Sequence, residues 1–204
     1  MVKVKICGIT NLEDAKASID AGCDALGFVF YKKSPRYIAP EKVKDIIKSL
    51  PENIAKIGVF VNSREKTIKK IANSCGFDIL QFHGDESVSF CRKFKGYKII
   101  KVISIKDKVE LKHVLNYNPF AYLFDAFCDS KRGGSGKRFD WKLLRHLYCI
   151  KKPVFLSGGL TVDNVKEAVK TARPDWVDAS SSLEIAPGKK DHQKIKDFIR
   201  MAKE

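Results

Sequence analysis

The sequence predicts an α/β fold, a (β/α)8 barrel of near-minimal length, on three observations. Short apolar runs rich in β-branched residues recur eight times along the 204 residues. Between them lie segments of helical period bounded by start and stop signals, the alternation of a parallel sheet covered by helices. The competing doubly wound open sheet carries a Gly-x-Gly-x-x-Gly turn after its first strand, and "CGITNLED" stands there instead. Eight units of about 25 residues sit near the lower limit for a closed barrel, which leaves tight loops and no large insertion.

The elements follow in order. Residues 2–6 (VKVKI) form the first run, after which Thr10-x-x-Glu13 reads as a capping box and Gly22 as the stop of that helix. The second is 25–30 (ALGFVF), with Pro40 at the first position of the helix behind it. Behind the third, 56–61 (KIGVFV), Ser63 reads as an N-cap and Gly76 as the stop. Runs at 78–82 (DILQF), 98–103 (KIIKVI) and 120–125 (FAYLFD) come next, and Thr161 caps a helix between the last two, 153–156 (PVFL) and 175–179 (DWVDA). Their continuous apolar character fits strands buried on both faces.

Composition limits the function classes. With 44% hydrophobic and 31% charged residues the chain suits one compact domain, 1–204, large enough to bury a core. No run approaches the roughly 18 to 20 apolar residues of a membrane span, and the alternating start is too short for a signal-peptide core, so the expected compartment is the cytoplasm. The six cysteines form no C-x-x-C pair and no histidine stands at ligand spacing, which argues against a metal site or a disulfide framework. A formal charge of +15 invites a nucleic-acid reading, but 31 of the 39 basic residues are lysines dispersed over helix-like segments. They read as solvated helix faces, compatible with an anionic substrate and without the interleaved aromatics of single-strand binding.

In a barrel the active site stands at the C-terminal ends of the strands, so the residues ending each run carry the functional information. They are Cys7, Phe30 with the loop to Arg36, Asn62, Gln81 and His83, Ser104, Asp125, Ser157, and Asp178 to Ser182. "LSGGLTVDNV" puts Gly158 and Gly159 just before a helix, and "VDASSSLE" puts Ser180 and Ser181 after the last strand. Freed backbone N–H groups, hydroxyls and a helix dipole together suit a phosphate. The loop "CDSKRGGSGKRFDW", with Gly134 and Gly136, has the composition of a flap over such a ligand. Asp125 is either a turn cap or an acid–base group, Cys7 either a small core residue or an exposed thiol, and Arg36 either a surface cation or a fork for a ligand carboxylate.

Motifs in sequence order sharpen this. "KICGIT", "GFVFYKKSPRYI", "GVFVN", "LQFHGDE", "LFD…GGSGKRFDW", "LSGGLTVDNV" and "DASSSLE…PGKKDHQKI" closely resemble the phosphoribosylanthranilate isomerase family of tryptophan biosynthesis, essentially end to end. The resemblance implies a cofactor-free Amadori rearrangement of N-(5-phosphoribosyl)anthranilate, with Cys7 as general base and Asp125 as general acid. It implies Arg36 on the anthranilate carboxylate and Asp178 on the sugar, with Gln81 and His83 also substrate-binding. Gly134, Gly136, Gly158, Gly159, Ser180 and Ser181 fall on the phosphate. Its expected partners are the phosphorylated small molecule alone, with no nucleic acid and no membrane, in a monomer or homodimer. Two positions depart from the family pattern: Ser182 replaces the glycine of "SSG", where a positive φ would strain serine, and Ala126 replaces threonine after the aspartate. Rivals are other phosphate-binding barrels, namely a ProFAR-type sugar isomerase, an indole-glycerol-phosphate synthase or a ribulose-phosphate epimerase, and a non-catalytic basic binding protein.

Overall fold

The computed structural model describes residues 1–77, 79–105, 111–126, 140–144 and 150–204. Eight parallel strands close into a barrel: β1 (Lys3–Cys7), β2 (Ala25–Val29), β3 (Ala55–Phe60), β4 (Ile79–Phe82), β5 (Lys98–Ile105), β6 (Ala121–Ala126), β7 (Val154–Leu156) and β8 (Trp176–Ala179). They pair in chain order, and β8 returns to β1 with Val4 opposite Val177. The predicted runs fall on these strands with ends shifted by up to two residues.

Strand side chains alternate, and two apolar layers result. Inside the barrel pack Ala25, Val29, Ile57, Val59, Ile100, Val102, Leu123 and Phe155. Outside, Ile6, Leu26, Phe28, Phe60, Leu80, Phe82 and Phe124 meet the helices. Phe30 belongs to the outer layer: it stacks on Phe60 at 5.2 Å and does not join the mouth of the barrel, because that is where burying its ring removes most apolar surface from water.

The helices are α1 (Leu12–Asp20), α2 (Pro40–Lys48), α3 (Glu65–Cys75), α4 (Val88–Cys91), α5 (Leu111–Leu115), α6 (Val165–Ala172) and α7 (His192–Lys203). None of the described helices is long and apolar enough to cross a membrane. Pro40 opens α2 and Gly76 closes α3 as expected. Three caps differ. The N-cap of α1 is Asn11, whose side chain accepts from Asp14 N, because the Thr10 hydroxyl is turned to donate to Gly188 O. Arg64, with no side-chain cap, starts α3 in place of Ser63. Before α6, Thr161 takes part through its backbone: its N–H donates to Asn164 Oδ1 at 2.9 Å, and Asn164 Nδ2 donates to Gly159 O at 2.9 Å.

After β8 the chain makes a 3-10 turn, Ser181–Leu183, and an antiparallel hairpin of β9 (Glu184–Ala186) and β10 (Lys189–Lys190) before entering α7. Besides the Thr10 bond, Lys190 N donates to Asp14 Oδ2 at 2.9 Å. The hairpin is thereby fastened to the β1–α1 connection, beside the strand ends that carry the polar residues.

Candidate active site

Inward-facing residues at the C-terminal strand ends form the walls of two adjoining spaces. The first, about 360 Å³, is lined by Gly158, Gly159, Ser180 and Ser181 from the β7 and β8 ends. The second is narrower, about 70 Å³, and is lined by Cys7, Arg36, Gln81 and His83. Asp125, Ser157, Asp178 and Ser180 border both. The structure therefore brings together Cys7, Arg36, Gln81, His83, Asp125 and Asp178 with the two glycines and two serines of the expected phosphate site. Gly134 and Gly136, with the rest of the predicted flap, lie outside the described residues. Asn62 and Ser104 line neither space; Asn62 instead ties the β3 and β4 ends together by accepting from Asp85 N at 2.7 Å.

The larger space is a polar cradle. Gly158 has φ 86° and a Cβ there would fall 2.5 Å from Ala126 N, so only glycine fits so close to the end of β6. Ser180 Oγ is buried without a hydrogen-bond partner among the described residues, a hydroxyl available to an anion. Ser182 adopts no positive φ, so serine is unstrained where the family pattern has glycine. Its hydroxyl donates to Leu160 O and joins the β7 and β8 loops.

Asp125 ends β6 on the inner face and is buried. Its Oδ1 accepts from Ala126 N at 2.9 Å and its Oδ2 lies 3.1 Å from His83 Nε2. Gln81 Nε2 is 3.3 Å from His83 Nδ1. With the amide in this orientation its nitrogen donates to Nδ1, which corresponds to the tautomer with the proton on Nε2, facing Asp125. Gln81 Oε1 is left buried with no partner among the described residues.

Cys7 closes β1 on the opposite wall, 8% exposed. Burial pushes its thiol pKa up, with the Lys5 ammonium opposing that rise. Lys5 is wholly buried and donates to Asp178 Oδ1 at 2.7 Å.

Arg36 reaches the same space along a fixed path. Its Nε and Nη2 both donate to Glu184, each at 2.8 Å, in a fork-to-fork pair. Buried Lys190 adds a third donor to Glu184 at 3.0 Å. Burial favours the neutral acid, but Arg36 and Lys190 outweigh it and hold the Glu184 carboxyl below its ordinary value. One edge of the guanidinium is thus committed to the protein, leaving the other for a ligand. Lys5, Glu184 and Lys190 escaped the sequence reading. The one available signal was Lys5, which shares the inward side of β1 with Cys7 two residues on.

Among the described residues no cluster of histidine, cysteine, aspartate and glutamate is placed to hold a metal ion. Comparison with known proteins identifies the kind of barrel. The family model for N-(5'-phosphoribosyl)anthranilate (PRA) isomerase matches residues 4–201. The Pelobacter propionicus N-(5'-phosphoribosyl)anthranilate isomerase is 47% identical over 204 residues, covering 100% of this chain and 97% of that protein. Its Thermotoga neapolitana counterpart is 45% identical, covering 100% and 99%. Among solved structures, phosphoribosyl anthranilate isomerase from Thermotoga maritima superposes with a TM-score of 0.94 at 44% identity, over 100% of this chain and 99% of that one. Another phosphoribosyl anthranilate isomerase, in complex with reduced 1-(o-carboxyphenylamino)-1-deoxyribulose 5-phosphate, gives 0.90 at 42% identity, over 100% and 99%. With a family model and full-length relatives in agreement, the chain is an isomerase and belongs to the N-(5'-phosphoribosyl)anthranilate isomerase family.

Proposed function

We propose that the protein converts N-(5-phosphoribosyl)anthranilate into 1-(2-carboxyphenylamino)-1-deoxyribulose 5-phosphate, the third step from chorismate to tryptophan, with Cys7 as general base and Asp125 as general acid. The observation that carries this reading is the placing of a thiol and a carboxyl on facing walls of one pocket that opens onto a polar cradle.

In this reading the phosphate sits against Gly158, Gly159, Ser180 and Ser181, and the anthranilate carboxylate takes the free edge of Arg36. Protonated Asp125 gives its proton to the ribose ring oxygen as the C1′–O bond breaks, and the nitrogen lone pair forms an iminium. The iminium acidifies C2′, so a thiolate suffices to remove that proton without a metal or a nicotinamide. Cys7 takes it, the C2′–H electrons form the C1′–C2′ double bond, and the iminium nitrogen recovers its lone pair. The enolamine then tautomerises, losing the 2′-hydroxyl proton and gaining one at C1′. The substrate keeps its atoms, and the cycle closes when Cys7 releases its proton to solvent and Asp125 takes one up.

The Gln81–His83–Asp125 chain supports an acid at Asp125 because its direction reverses. A half-turn of the Gln81 amide brings Oε1 to His83 Nδ1, which then carries the ring proton and leaves Nε2 to accept from a protonated Asp125. That state gives Gln81 Oε1 a partner in exchange for the one that Gln81 Nε2 has in the other, so both directions of the chain leave one amide atom unpartnered among the described residues. The test is the loss of the substrate's fluorescence on adding purified protein, with an unchanged mass and a new ketone marking the product as an isomer. Turnover is expected with no added metal or nucleotide. A folded protein that leaves the substrate untouched contradicts the reading.

A further inference from the structure

Lys5 has no part in the chemistry above, yet it is among the largest fully buried side chains and is bonded to Asp178 of the pocket wall. Residues two apart on a strand share a face, so Lys5 and Cys7 stand in one column on β1. Both lie over the same point of β2. Gly27 pairs with Cys7 there, and a Cβ on it would fall 2.7 Å from Cys7 Sγ and 3.2 Å from Lys5 Cε. Only the absence of that carbon lets the sulfur and the end of the lysine chain share the space.

A buried ammonium needs a counter-charge, and Asp178 on β8 supplies it at 2.7 Å. Burial works against the Lys5 charge, but Asp178 and Cys7 outweigh it, so the lysine is held protonated more firmly than an exposed one. The charged groups acting on the Cys7 sulfur are Lys5 from its own strand, Asp178 from β8 and Lys190 from the hairpin. Arg36, His83 and Asp125 stand on the remaining walls. Lys190 is buried too, bonded to Ser180 O at 3.1 Å and to Glu184 at 3.0 Å; Lys5 is the cation that shares a strand and the gap over Gly27 with the sulfur.

We propose that Lys5 is a positioning residue for the base: fixed and kept charged by Asp178, its ammonium is the standing counter-charge of the Cys7 thiolate inside the barrel. The role rests on the assignment of Cys7 as base. No proton passes through Lys5; it makes a desolvated thiolate cheaper to form where the substrate's C2′ arrives. Asp178 tunes the effect, since its carboxylate both anchors the ammonium and repels the thiolate.

Alkylation of Cys7 by iodoacetamide, followed peptide by peptide across pH, reads the thiolate without any substrate. The proteins to compare are the parent, Asp178→Asn and Lys5→Met/Asp178→Asn, the last of which avoids stranding a buried carboxylate. In Asp178→Asn the ammonium acts on sulfur alone, and the alkylation midpoint falls below that of the parent. Adding Lys5→Met raises it above Asp178→Asn by about one pH unit or more, a tenfold loss of thiolate at a fixed lower pH. If Lys5 merely fills space, adding Lys5→Met leaves the midpoint of Asp178→Asn where it is. An unmoved midpoint in the double variant relative to Asp178→Asn overturns the proposal; if the double variant does not fold, Lys5→Gln/Asp178→Asn takes its place and is read in the same way. A parent whose Cys7 behaves as expected but which does not convert the substrate overturns the isomerase reading separately.

Discussion

The β1–β8 wall and the β4–β6 wall border the same pocket with different interactions. On the first, a thiol lies beside a fully buried Lys5–Asp178 ion pair. On the second, a carboxyl is held by a backbone N–H and a histidine whose other nitrogen meets an amide. One wall contains a fixed cation; the other contains a hydrogen-bond chain that serves an ionised or a protonated carboxyl by reversing. A rearrangement that needs one group ionised and another protonated gains from such unlike surroundings, because alike ones would push both groups the same way.

The comparison breaks first, and most heavily, through stability. Lys5→Met alone strands the Asp178 charge in the barrel and costs about 3–5 kcal/mol, whereas His83→Asn leaves hydrogen bonds unmade at about 1–3 kcal/mol. Urea unfolding of the two variants measures the gap; equal costs would erase the distinction between a charged wall and a neutral one. In turnover the order reverses for His83→Asn relative to its mild effect on folding. Loss of the reversing chain lowers kcat about tenfold to a hundredfold with KM little changed, and a change confined to KM would make His83 a binding group only.

Glu184→Gln sharpens the account at the pocket's edge. With its fork partner neutral, Arg36 loses orientation, and KM for the anthranilate substrate rises several-fold while kcat changes less. The same variant tests a pH dependence. Glu184 is held below its ordinary value of 4.5 in the folded protein, so the stability it contributes is present above that pH and is lost as pH falls through the lower, folded value. Acid-unfolding curves of Glu184→Gln should therefore lack that component. The smallest effect belongs to Ser182→Gly, which loses one hydrogen bond to Leu160 O and relieves no strained φ. A cost near 1 kcal/mol or less is expected, and marked stabilisation would contradict the unstrained backbone.

The barrel was readable in the sequence because parallel strands buried on both faces are written as continuous apolar runs, and helices between them as periodic ones. The strand-end rule then found Cys7, Asp125, Asp178 and the two loops of the cradle. Lys5 was not found, since "VKVKI" reads equally as alternation with lysine in solvent; only closure of the barrel decides that its odd positions face inward. The β9–β10 hairpin escaped for a related reason. "EIAPGKK" has no apolar face of its own, and Glu184 finds its partner in Arg36, more than a hundred residues earlier, while Lys190 in turn pairs with Glu184. Local caps misplaced by one residue, Asn11 for Thr10 and Arg64 for Ser63, reflect the same limit: the Thr10 hydroxyl is taken by Gly188, a contact invisible to a local pattern.

The most direct test of an acid and a base on facing walls is a side-by-side measurement of kcat for the parent, Cys7→Ser and Asp125→Asn, each shown to be folded, with the fluorescent anthranilate substrate. A fall of about a hundredfold or more in each variant is the predicted result, in keeping with the loss of a general acid or base. A Cys7→Ser protein that keeps most of the parent's turnover would contradict the account and return that sulfur to the apolar interior; an Asp125→Asn protein that does so would leave the reversing chain without a role in the chemistry.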